Sequence, residues 1–402
     1  MKRLYQNIAQ QHFSENRQML FFAGPRQVGK TTIGQSLQAL YDQSYYLNWD
    51  LDRDRKLLLA GNSALAESCM LTSLSTKNTL LILGEIHKYG RWKNLLKGFF
   101  DAYGNTTYIC VTGSARLDVF RKGSDSLLGR YFPYRVHPLS VRELISDTIP
   151  EQLYSPPTLL DDDQFLALLK FGGFPEPFTR QHTRFSRQWN RMRENLLFKE
   201  DIRGLTQVQD IALIQMLATL LKAQAGQLLN MSQLAKKLQV SVNTVKRWLT
   251  TLAAFYYCYS VRPWTQNITS SLLKEPKVYL WNWADVEDPG ARSENFIASH
   301  LLKAIHYWND AGLGDFELYF LRTKDGKEVD FLVTKSNQPW FLVEVKCSEN
   351  RRINSALYDF QQQTGAKHAF QVVIDMPYVE RCCFEITHPI IVPAKTFLSQ
   401  LV

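Results

Sequence analysis

The stretch Gly24-Pro-Arg-Gln-Val-Gly-Lys30-Thr31 limits what this chain can fold into more than any other, because it fits G-x-x-x-x-G-K-[ST]. The apolar run Met19-Leu-Phe-Phe-Ala23 precedes it, and Thr32-Ile-Gly-Gln-Ser-Leu-Gln-Ala-Leu40 follows, with Ile33, Leu37 and Leu40 on one helical face. Strand, glycine loop and helix is the context a phosphate-binding loop requires. Loop amides and a helix N-terminus direct partial positive charge at phosphates. Gly24 and Gly29 allow the tight turn, since neither carries a Cβ. The candidate nucleotide contacts are therefore Gly24, Pro25, Arg26, Gln27, Val28, Gly29, Lys30, Thr31 and Thr32. Lys30 is expected to reach the terminal phosphates and Thr31 to place its hydroxyl on Mg²⁺.

With 402 residues the chain has room for two to four domains. No window supplies the ~18 uncharged apolar residues of a membrane span, and the start Met-Lys-Arg-Leu-Tyr-Gln-Asn has no apolar signal core. A cytoplasmic protein with no membrane partner is the expectation. The six cysteines show no zinc-type pairing. The net charge of +9 is uneven: +8 over residues 1–145, +2 over 146–290 and −1 over 291–402. A polyanionic partner is compatible with that excess, although part of it serves a nucleotide site.

Further along, Ser44–Asp50 reads as a second strand and Asp52–Lys56 opens a helix. Asn78–Leu83 and Thr106–Thr112 are apolar runs suited to central parallel strands. Alternating strands and helices predict a doubly wound parallel sheet with its ligand at the carboxyl ends of the strands. P-loop ATPases normally close the third strand with Asp-Glu, the Asp holding Mg²⁺ through water and the Glu orienting the attacking water. Here that strand ends Leu83-Gly84-Glu85, so Glu85 is in place while Gly84 stands where the metal-side carboxylate belongs.

Together with Thr112-Gly-Ser-Ala-Arg116, Arg121–Tyr131, His137-Pro-Leu-Ser140 and Gly172-Gly-Phe-Pro-Glu176, these motifs resemble the prokaryotic AAA+ ATPases that carry an uncharacterised C-terminal domain. The resemblance implies ATP/ADP with Mg²⁺ as the cofactors. It places Thr112 or Ser114 where a sensor residue touches the γ-phosphate or attacking water. It also makes Arg130 the candidate arginine for developing phosphate charge, in cis or from a neighbour. The family reads Asp-Glu at Gly84-Glu85, and that departure predicts weak hydrolysis with nucleotide binding retained.

The rest of the chain divides, on sequence, into a helical connector (146–205), a winged-helix module (206–290) and an α/β domain (291–402), after a P-loop domain spanning 1–145. In the connector Arg184, Arg187, Arg191 and Arg193 recur on one predicted helix, read as a salt-laced surface. Leu229–Gln239 and Val242–Leu252 form a helix-turn-helix pattern. Tyr256–Arg262 follows as a wing, and Ser241, Asn243, Thr244, Lys246 and Arg247 would face DNA. A helix from Glu294, a strand bearing Asp330 and the run Val343-Glu344-Val-Lys346 resemble the PD-(D/E)xK nuclease fold. In that reading Glu294, Asp330 and Glu344 gather a divalent cation and Lys346 stabilises charge on the reacting phosphate, with Gln361, Gln362 or Gln363 adding a polar contact. The leading expectation is an ATP-binding AAA+ type protein controlling a nuclease-like domain. The alternatives are a nucleotide-responsive switch binding DNA or a protein partner without cleavage, and a metal-dependent nuclease using ATP structurally.

Overall fold

A computed structural model describes residues 2–71, 79–113, 127–205, 210–265, 275–348 and 352–402. The chain forms two compact units, residues 1–137 with 147–149, and residues 138–146 with 150–402. No helix among the described residues is long and apolar enough to cross a membrane.

The first unit runs α1 (Leu4–Glu15), β1 (Met19–Ala23), α2 (Lys30–Leu37), β2 (Gln43–Asn48), α3 (Asp52–Leu59), α4 (Asn62–Ser68), β3 (Thr79–Gly84), α5 (Trp92–Tyr103), β4 (Thr107–Gly113) and β5 (Tyr131–Arg135). Its five strands are all parallel, in the order β2-β3-β4-β1-β5. The apolar runs seen in sequence are the central strands: every residue of β1 and β3 is buried. One face packs Phe21, Leu81, Leu83 and Val111 against Leu58, Trp92, Leu96 and Phe99 of the covering helices. At roughly 25 cal/mol per Å², such burial is what holds a parallel sheet between helices. The carboxyl ends of β1, β3 and β4 lie side by side, with Ala23 paired to Gly113 and Gly84 paired to Thr112.

In the second unit, α6 (Val141–Ile145) is capped by Ser140, whose side chain accepts from the Glu143 amide. Then come α7 (Asp162–Phe171), α8 (Pro175–Arg180) and α9 (Thr183–Leu196), which continues through a π-helical turn at Leu197–Ile202. The expected helix-turn-helix is present as Met231–Leu238 and Val242–Ala254, with Asn230 and Ser241 capping through the amides of Gln233 and Thr244.

The strand expected to be a wing is not a free one. β6 (Cys258–Pro263) pairs antiparallel with β7 (Lys277–Leu280) and parallel with β8 (Phe316–Arg322). β9 (Glu328–Lys335), β10 (Gln338–Lys346), β11 (His368–Val373) and β12 (Ile390–Pro393) complete a seven-stranded mixed sheet in the order β12-β11-β10-β9-β8-β6-β7. The physical reason is burial. Cys258, Tyr259, Val261 and Pro263 are apolar and inward-facing, so β6 is driven into the sheet. The connector, the helix-turn-helix and the α/β region accordingly share one unit. The segment 138–146 joins it through the buried Lys303, whose ammonium donates to Glu143 Oε2 at 2.5 Å and Ser140 Oγ at 2.9 Å.

Candidate functional site

The glycine loop links β1 to α2 at the carboxyl edge of the first sheet. A Cβ on Gly24 would sit 2.3 Å from the Val136 carbonyl oxygen, so only glycine fits. Gly29 (φ 99°) and Gln27 (φ 62°) occupy the left-handed region, the kind of backbone that forms anion-binding concavities. Lys30 is buried, and its ammonium donates to the carbonyls of Gly24 (2.8 Å) and Pro25 (2.6 Å). Arg3, which sequence reasoning passed over, braces this loop: its guanidinium donates to Val28 O (2.6 Å) and His137 O (2.7 Å). Nothing in the sequence marks an arginine three residues from the start as buried. The glycine cradle, with its left-handed residues and buried Lys30, fits the phosphates of a nucleotide.

Gly84 ends β3, and its own backbone does not require glycine. A Cβ there would meet the Tyr46 hydroxyl at 2.8 Å and Tyr46 Cζ at 3.3 Å. Tyr46, on β2, thus fills the space beside the absent carboxylate. Burial raises its phenol pKa, and a hydrogen bond with the Thr31 side chain pulls it back. Thr31, the candidate Mg²⁺ residue, therefore faces a phenol. Glu85 follows in a left-handed conformation (φ 54°), its amide donating to Thr112 O at 2.9 Å. The Glu85 carboxylate lies 3.7 Å from Lys88 Nζ and 3.8 Å from His87 Nε2, and Lys88 also holds Asp50 at 2.6 Å. Burial pushes the His87 imidazole down to about 4, so it is neutral at pH 7.

Thr112 is buried at the end of β4, between the loop strand and the Gly84 strand. Ser114 lies outside the described residues, as do Arg116 and Arg121. Arg130 is placed at the other end of the sheet: its carbonyl accepts from the Met19 amide, at the start of β1 rather than its loop end. Its guanidinium makes a two-pronged ion pair with Asp101 at 2.7 and 3.0 Å.

In the second unit the resemblance-derived residues do come together, around an unforeseen cation. Lys277 Nζ on β7 lies 2.9 Å from Glu294, 2.5 Å from Glu328 and 3.8 Å from Asp330. The Glu294 carboxylate also accepts from the Tyr279 hydroxyl at 2.6 Å. Val345 N–H donates to Asp330 Oδ2 (2.8 Å), while Lys346 (2.7 Å) and Asn354 (2.8 Å) donate to Glu344. Burial, with Glu294 and Glu344 nearby, raises the Asp330 carboxyl well above the usual range. Burial opposes the charge on Lys277, but Glu294, Asp330 and Glu328 outweigh it and keep the ammonium protonated. Among the described residues no group of three or more His, Cys, Asp or Glu is arranged to hold a metal ion. Lys277 thus places a positive charge from within the fold beside Glu294 and Asp330, two of the three residues expected to hold a metal. Gln361 does not join the cluster, its amide donating to Ala366 O and Thr387 O. A lysine opening the otherwise apolar Lys277-Val-Tyr-Leu-Trp was the one sequence sign of a buried cation.

Residues 16–145 match the family described as "AAA domain". The first unit, a five-stranded parallel sheet with its glycine loop after β1, resembles a P-loop AAA+ fold. Residues 162–284 and 289–381 match two domains of unknown function. Uncharacterized proteins of Mycobacterium bovis and Mycobacterium tuberculosis are each 25% identical over 367 residues, covering 85% of this chain and 74% of the relative. Among solved structures, the Aeropyrum pernix ORC1 protein in complex with DNA matches at 15% identity and a TM-score of 0.31, over 73% of this chain and 92% of that one. C. elegans PCH-2 matches at 14% identity and 0.24, over 61% and 65%. Scores this low add nothing to the fold argument.

Proposed function

We propose that the protein binds ATP and ADP with Mg²⁺ at Gly24–Thr32 and hydrolyses ATP slowly. The observation that carries binding is the loop itself: a glycine cradle closed by the Val136 carbonyl, with Lys30 buried at its centre. Loop amides and Lys30 would hold the phosphates, and Thr31 would hold the metal. Bound Mg²⁺ would neutralise charge developing on the transferred phosphoryl group. Glu85 is the residue to orient water, with Thr112 beside it. Slow turnover is inferred from Gly84, which offers no oxygen to the metal's water shell. For Arg130, pairing with Asp101 supports a structural role in its own chain and leaves a role toward a neighbouring copy as the proposal. Lys30→Ala should abolish nucleotide binding in calorimetry; an affinity matching the unmodified protein would overturn the assignment.

A second reading concerns the other unit. Lys277 favours a nucleotide-responsive switch that binds DNA or a protein partner without cleavage over metal-dependent nuclease action, because its ammonium sits against the carboxylates that resemblance assigned to a metal. The donor set does not fit a divalent ion while Lys277 is there.

A further inference from the structure

We propose that a cleft beside α9 binds the phosphates of a nucleic-acid backbone. The cleft has a volume of about 630 Å³ and is lined by Lys170, Arg184, Arg187 and Arg191, with Gln181 and Gln188. The sequence suggested a helix laced with salt bridges, and the structure removes the counter-charges. Among the described residues, Arg184, Arg187 and Arg191 make no ion pair. Glu176 pairs with Arg180 instead (3.6 Å), and Glu194 pairs with Lys222. No carboxylate lines the cleft.

Helical periodicity explains the arrangement. Arg184, Arg187, Gln188 and Arg191 fall within about 100° of arc on α9. Trp189 and Arg193 are buried on the opposite face, Arg193 against Asp285 at 3.3 Å. That side anchors the helix and leaves the cationic row standing in solvent. Arg184 with Arg187 and Arg187 with Arg191 are like-charge pairs three and four residues apart, an arrangement that costs helix stability when nothing neutralises it. A bound polyanion relieves that repulsion.

The chemistry selects the polyanion. Three guanidiniums present paired donors suited to phosphate oxygens, and neutral glutamine amides are common phosphate contacts. The row extends about 10.5 Å at 1.5 Å per residue, roughly three phosphate intervals at 3.4 Å per strand. Cations strung along a line suit a backbone better than the single focus of a free nucleotide. The inference deepens the binding-switch reading, yet it needs no nucleotide at the P-loop and is tested without any.

The test is fluorescence anisotropy on the full chain with labelled single-stranded and duplex oligonucleotides across a salt series. The comparison is Arg184→Ala/Arg187→Ala/Arg191→Ala, whose side chains are exposed, with circular dichroism checking the fold; Lys170→Ala is the milder second variant. The triple variant is expected to lose at least tenfold in affinity, and its log–log salt slope to fall by roughly 2–3, at 0.7–0.9 per lost contact. Lys170→Ala should reduce the slope by about one contact. Equal affinities and slopes, or no binding by the unmodified protein, would overturn the proposal. So would tripolyphosphate binding that depends on the three arginines while neither oligonucleotide binds, since the cleft would then take free phosphate chains.

Discussion

At the scale of single residues, Gly84 and Tyr46 have to be read as a pair. An aspartate at position 84 would restore an anionic acceptor near the metal, and a charge-assisted hydrogen bond contributes about 1.5–3 kcal/mol. Turnover would then rise about ten- to hundredfold if that acceptor acted only in the transition state. The sequence reaches that far. It could not show that the new Cβ would lie 2.8 Å from the Tyr46 hydroxyl, because Tyr46 is 38 residues away on another strand. The hydroxyl must move before the carboxylate fits. The prediction is therefore sharper than a single exchange: Gly84→Asp alone raises ATP turnover modestly, and Gly84→Asp/Tyr46→Phe raises it further, with ADP affinity little changed in either. Steady-state ATPase rates with calorimetry decide it. A double variant no faster than the unmodified protein would show that the missing carboxylate does not limit this site.

At the scale of elements, the boundary between legible and illegible follows sequence distance. β1, β3 and β4 were readable as apolar runs, since burial on both faces leaves a local mark. The helix-turn-helix was readable from its caps and spacing. The pairing of β6 with β8 was not, because partners some 60 residues apart leave no local signature, and an apolar wing looks like any other strand. The nuclease-like residues converge for the same reason that they were found: Asp330 and Glu344 lie on adjacent antiparallel strands, with Val345 N–H bonded to Asp330. What the motif could not reveal was β7, which brings Lys277 among them. Removing one partner from a buried ionic cluster costs about 3–5 kcal/mol. Lys277→Met should therefore destabilise the second unit by that order and leave Glu294, Glu328 and Asp330 without their cation. The expected sign of that state is a melting temperature raised by Mn²⁺ in the variant and insensitive to Mn²⁺ in the unmodified protein. Equal Mn²⁺ responses in the two proteins would show that Lys277 is not what keeps a metal out.

At the scale of the whole molecule, each unit carries a buried histidine held neutral, and acid should act on both. In the second unit His300 has its tautomer fixed by its partners: the Val141 amide donates to Nε2 at 3.1 Å, so the proton sits on Nδ1, 2.8 Å from the Phe296 carbonyl. Burial, with Lys303 nearby, lowers its pKa from 6.5 to about 3. A second proton on Nε2 would face the Val141 N–H. The unfolded chain therefore binds this proton more readily than the folded one between about pH 6.5 and 3. Stability from the neutral ring is fully present above about 6.5 and is lost as pH falls toward 3, by up to ~1.4 kcal/mol per pH unit for one proton. His87 acts in the same direction in the first unit, between 6.5 and about 4. Asp330 acts in the opposite direction, since its raised pKa favours the protonated folded form in acid. His368, also lowered by burial, adds to the His300 direction, so the net slope of the second unit mixes all three, and only a variant separates His300 from the rest. His300→Gln keeps an acceptor for Val141 and cannot titrate in this range. Urea unfolding of the second unit from pH 7.5 to 5 should show stability falling with acid in the unmodified protein, and falling less in His300→Gln by up to one proton's slope. Parallel curves for the two proteins would mean that His300 is not what acid attacks.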